Sequence, residues 1–144
     1  MSAESVSKQK APWHLWVVVV LTLLWNGLGA YTVMMAQAGK LAGMDAREAA
    51  YYAAKPLWFV ITTDIALLLP VAAAIALLFR SRFAVWLFAA GLIVLVGNNA
   101  YDFFSGASLA RGDKGWLVMT AIVVSIAVLQ FWYSRAMTRR AVLS

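Results

Sequence analysis

Four apolar runs, at residues 13–36, 57–79, 83–104 and 116–136, take up most of this 144-residue chain. Each is as long as the roughly 20 residues needed to cross the hydrocarbon core of a bilayer. Lipid offers no hydrogen-bond partner to backbone N–H and C=O groups, and an α-helix satisfies them within the segment. The runs therefore predict an all-α membrane fold, a bundle of four transmembrane helices. Composition agrees: 64% of residues are hydrophobic, 12% are charged and the mean hydropathy is +0.80, whereas soluble domains carry about a quarter charged residues. The length fits a single integral membrane domain over residues 1–144, without room for a separate soluble catalytic module.

The connections between the runs are unequal. Arg80, Ser81 and Arg82 make a tight basic turn between the second and third. Residues 37–56 separate the first two, and there Asp45 and Glu48 are spaced as an N-cap and its partner three residues on. They predict a short helix over residues 46–54, stopped by Pro56 and lying at the membrane surface over one end of the bundle. Residues 105–115, rich in Gly and Ser, predict a flexible link. Pro70, in the middle of the second run, predicts a kink and a freed carbonyl near residue 66.

Charge sets an expected orientation. Lys8, Lys10, Arg80, Arg82, Arg135, Arg139 and Arg140 fall on the side that holds both termini, seven basic residues against five, Lys40, Arg47, Lys55, Arg111 and Lys114, on the other. Asp45, Glu48 and Asp113 join the five. The larger basic count marks the cytoplasmic side, so both termini are expected there. Trp13, Trp16, Trp86, Trp132 and Tyr133 would form the inner aromatic belt, and Tyr51, Tyr52, Trp58 and Trp116 the outer one. On this account the net charge of +6 is a topology signal, and no basic patch is large enough to engage nucleic acid. The first run exceeds the core of a signal peptide and contains Trp25 and Asn26, so it is expected to be an uncleaved span.

Ionisable groups in such a chain are functional candidates, because each costs roughly 2.5–3.5 kcal/mol near the bilayer centre on insertion scales. Asp64 and Asp102 are two of only six carboxylates. At 1.5 Å per residue, Asp64 lies ~9 Å below the outer end of its span, Asn26 ~15 Å down the first, and Asn98 and Asn99 roughly 6 to 10 Å down the third. These four converge on the outer half of the bundle, while Asp102 moves towards the interface, where it would be hydrated. Gly91, Leu95, Asn98, Asn99 and Asp102 share one helical face, as do Thr22, Asn26 and Gly29. Amides and hydroxyls can simply tie helices together, at about 0.6 kcal/mol per contact.

A functional site made from these groups would be an outward-facing polar pocket with Asp64 at its base. Desolvation disfavours the charged form of a carboxylate, which suits proton-linked transport. Amides, a carboxylate and an aromatic side chain such as Trp25 or Tyr31 also suit a polar solute such as a sugar. Four spans are few for a path, so a homodimer is expected. The alternative is a non-transporting subunit whose polar residues lock helices and whose partner is another membrane protein. An enzyme is not expected. The chain has no Cys, its one His, His14, sits at the start of a span, and no phosphate loop, nucleophile elbow or metal-ligand set can be written from it. No cofactor is implied.

The run Trp25-Asn26-Gly27-Leu28-Gly29-Ala30, followed by Met35 and Gln37, resembles the first-span motif of a group of small bacterial four-span membrane proteins often labelled sugar transporter-like. Arg80-Ser81-Arg82 with Ala84 is similar to that family's basic turn. Trp132-Tyr133-Ser134-Arg135-Ala136-Met137 with Val142-Leu143 is similar to its C-terminal signature. The resemblance implies a bacterial inner-membrane protein with a transporter-like role. Where the family carries an Asp-Tyr pair after the first-span motif, this chain has Thr32 and Val33, leaving Asp64 and Asp102 as local replacements.

Overall fold

The computed structural model describes residues 10–107 and 114–144 and is all-helical over them. Lys8, Arg111, Asp113 and most of the expected Gly/Ser-rich link lie outside the described residues. Four helices are long and apolar enough to cross a membrane: α1 (Trp13–Gln37), α3 (Leu57–Leu78), α4 (Phe83–Phe104) and α5 (Gly115–Arg139). The short α2 (Ala46–Ala53) lies between the first two. The bounds match the expected runs to within three residues, and α4 matches at both ends.

Local chemistry explains the boundaries. Pro12 and Pro56 sit just ahead of α1 and α3 in extended conformation, at φ −66° and −67°. The fixed φ of proline suits that place, and the prolines' carbonyls accept the first helical bonds, from Leu15 and Phe59, both at 3.0 Å. Asp45 caps α2 as its spacing implied, accepting from the Glu48 N–H at 2.8 Å. Helix α3 continues through Pro70, which is buried against α4. Gly91 makes this approach possible, since a Cβ there would lie 3.2 Å from Pro70 Cδ.

Helix α3 packs on α1 and α4, and α5 packs on α4. Many large side chains remain outside, among them Trp13, Phe79, Trp86, Ile93 and Phe104, all more than two-thirds exposed. That surface suits lipid, where apolar side chains have no reason to withdraw. Association within lipid rests instead on close packing of small residues, and Ala66, Ala73, Ala74, Ala84, Gly91 and Ser134 are all buried.

One end of the bundle, termed basal here, is the better packed. Leu15, Val19, Leu77, Phe88 and Met137 form its core together with Val142 and Leu143 from beyond α5. The chain returns over the basic turn to make this closure. Ser144 N–H donates to the Arg80 carbonyl at 2.9 Å, Arg82 N–H to the Ser144 carbonyl at 3.2 Å, and Arg80 Nε–H to the Val142 carbonyl at 3.0 Å. Arg80 and Ala141 adopt positive φ (56° and 55°) to turn the backbone into this arrangement. The opposite, apical end carries α2.

Candidate functional site

Two carboxylates enter the apical half of the bundle on α3 and α4, and their surroundings differ. Asp102, near the end of α4, is 3% exposed, so the expectation of a hydrated interfacial group is corrected. Its Oδ1 pairs with the Lys55 ammonium and its Oδ2 accepts from the Tyr51 hydroxyl. The Lys55 Nζ also lies 4.0 Å from the Tyr51 ring centroid and 4.5 Å from that of Phe59. Ion pairing, a phenol donor and two aromatic faces thus compensate both charges where water is excluded. Because Tyr51 lies on α2 and Lys55 just beyond it, the pair holds the short helix over the apical end. Trp58 and Tyr101 stack edge to face outside it, at a centroid separation of 4.8 Å.

Their positions in the sequence put Lys55 and Asp102 on the outer side without joining them. The signal was available: Lys55 immediately precedes Pro56 and the start of α3, and Asp102 ends the antiparallel α4. Neighbouring antiparallel helices bring such positions to one level.

Asp64 is half-buried on α3, and its Oδ1 is fully buried without a hydrogen-bond partner among the described residues. The three asparagines at a similar depth make their described hydrogen bonds elsewhere. Asn98 is taken up by α3, its Nδ2 donating to Thr63 Oγ1 at 3.0 Å and its Oδ1 lying 3.1 Å from the Thr62 hydroxyl. Asn26 donates to its own helix at Thr22 O (2.9 Å), and Asn99 to Leu95 O (2.8 Å). A level along the helix leaves rotation about each axis open, and rotation decides which of these groups bond one another. Tyr31 is 61% exposed, on the outside of α1, and Trp25 is 39% exposed.

Two spaces among the described helices bear on the polar groups. A cavity of about 30 Å3 at the centre touches α1, α3, α4 and α5, and its lining includes Asn26, Pro70, Gly91 and Gln130. It holds about one water molecule. The larger space, about 440 Å3, is a groove between α1 and α5 lined by Thr22, Trp25, Leu129, Gln130 and Trp132 among others. Asp64 lines neither. At the basal end His14 Nδ1 and Tyr133 Oη, 2.7 Å apart, bridge the two helices that flank the groove. Comparison with family models, curated proteins and solved structures finds no match to this chain.

Proposed function

We propose that this integral membrane protein is a transporter-like protein of the bacterial inner membrane, with both termini cytoplasmic, and that Asp64 is its proton- or solute-binding group. The carrying observation is the buried Asp64 Oδ1 with no hydrogen-bond partner among the described residues. A residue kept only to tie helices together has its oxygens occupied by neighbouring helices, as Asn98 does. An orphaned carboxylate oxygen costs a few kcal/mol, and a bound proton, or the hydroxyl of a polar solute such as a sugar, would remove that cost. The resemblance of the first-span motif, basic turn and C-terminal signature to the sugar transporter-like family supports the same reading. The basic residues clustered at the basal end support the orientation.

A sugar does not fit in the 30 Å3 central cavity. The path for a solute therefore involves a second copy of the chain or a second conformation, and proton binding is the smaller requirement. A non-transporting role as a subunit of a membrane assembly is the second reading. It is favoured by α5, the most apolar stretch of which has no buried residue and so leaves a long face for a partner helix.

The test is flux in proteoliposomes that enclose a pH-sensitive dye, with a panel of sugars and cations supplied outside. Wild-type protein is expected to carry proton or solute flux above protein-free vesicles, and Asp64→Asn to lose it while remaining folded. Equal traces from wild type, variant and empty vesicles across the panel would exclude transport and leave the subunit reading.

A further inference from the structure

The groove between α1 and α5 contains a buried polar group that neither carboxylate site uses. Gln130 is 9% exposed, lines both the groove and the central cavity, and makes no side-chain hydrogen bond to any described residue. Thr22, 4% exposed, lines the groove opposite it on α1. Each stands nine residues from the basal end of its helix, roughly 13 Å along the axis. A primary amide without a described partner, opening on a groove that is otherwise apolar, is unfavourable unless something in the groove supplies the complementary groups.

The rest of the groove constrains what that is. Its remaining walls are almost wholly apolar, and its rim residues Leu21, Leu129 and Trp132 are each 60% or more exposed, so it opens sideways towards lipid. None of its lining residues is charged. The nearest cations on α5, Arg135 and Arg139, lie one and more turns nearer the basal end. Arg140 acts on Tyr133 only at the basal mouth of the groove, and no charged side chain lines the stretch that holds Thr22 and Gln130. A volume of about 440 Å3 falls within the ~300–1,000 Å3 range of small-molecule sites.

We infer that the α1/α5 groove binds a neutral lipid drawn from the bilayer, with an apolar chain against Leu21, Leu129 and Trp132 and a single hydroxyl or carbonyl head bonded to Gln130 and Thr22. Lipid and protein each meet an otherwise unsatisfied polar group inside the membrane. The site is independent of Asp64, and its readout does not depend on flux.

The test is photolabelling of the full chain in phosphatidylcholine nanodiscs with a diazirine-bearing long-chain alcohol, mapped by peptide mass spectrometry. Phosphatidylcholine and a fatty acid carrying the same diazirine serve as comparison probes. The alcohol is expected to label α1 and α5 at the groove, saturably and in competition with unlabelled alcohol, while the two comparison probes label the lipid-facing helices evenly. Gln130→Leu removes the amide at similar volume and is expected to weaken labelling about fivefold, the equivalent of one hydrogen bond. Should that variant be poorly folded, Val18→Trp, which fills the groove from its wall, is expected to abolish groove labelling. Even labelling by the alcohol, or unchanged groove labelling in whichever variant is folded, overturns the assignment.

Discussion

The region around Asp102 and the region around Asp64 meet the same physical problem, a carboxylate taken out of water, in opposite ways. At the apical end, Asp102 is enclosed with a cation, a phenol and two aromatic rings brought from α2, the α2–α3 link and α3. On α3, Asp64 keeps a buried oxygen with no hydrogen-bond partner among the described residues. A fully satisfied buried pair is a structural device, and removing one member exposes its cost. An unsatisfied group has no such bond to lose, so its persistence points to something outside the bundle. Burial alone does not tell which carboxylate the bundle satisfies, since the more deeply buried of the two is the satisfied one.

Substitutions can break this contrast, beginning with the largest effect. Asp102→Ala leaves the Lys55 ammonium buried and uncompensated, and is expected to lower stability by about 3–5 kcal/mol. Thermal unfolding in detergent micelles measures this, and the double replacement Lys55→Met with Asp102→Leu should restore most of the loss. Recovery in the double variant would separate the penalty of a stranded charge from any general need for polarity at the apical end.

Gly91→Ala comes next, because it tests the α3/α4 seam without touching a polar group. The new methyl would meet the rigid Pro70 ring at 3.2 Å and Leu69 Cβ at 3.4 Å. A loss of about 1–3 kcal/mol is expected from overpacking, read by the same unfolding assay. A neutral result would mean that the helices part easily, which would weaken any account of the seam as fixed.

Smaller effects sharpen the comparison along α3. Asn98→Leu removes the amide that bonds Thr62 and Thr63, and should cost about 0.6–2 kcal/mol, the range of hydrogen bonds between membrane helices. Asp64→Asn removes no hydrogen bond, and its unfolding midpoint should stay at or above that of wild type. A destabilised Asp64→Asn would identify a structural partner for the carboxylate and undo the contrast with Asp102.

Much of the fold was legible before any coordinates. The apolar runs determined four helices, and the Asp45–Glu48 spacing determined where the short helix begins, a local effect. Pro56, read as the stop of that helix, also precedes α3 as Pro12 precedes α1. The site was legible only in part. Asp64 and Asp102 stood out as ionisable groups in apolar runs, yet Asp102 was expected to be hydrated because its neighbours in sequence say nothing of Tyr51 and Lys55. Gln130 went unremarked, although it, Ser134 and Met137 recur at four and three residues and are all buried on α5. The C-terminal signature and the basic turn were read as separate motifs. In the structure they are one feature, joined by the hydrogen bonds of Ser144 and Val142 to Arg80 and Arg82.

By itself, the sequence determined the apolar character of this protein, the number and length of its long helices and the position of each polar side chain along its helix, since hydropathy and a 1.5 Å rise are properties of a single segment. Tertiary structure alone decided which polar groups meet. Rotation of each helix about its axis and the choice of neighbours are set by close packing of small residues between helices. That packing gave Asp102 its partners, withheld them from Asp64, and left Gln130 in an open seam between α1 and α5.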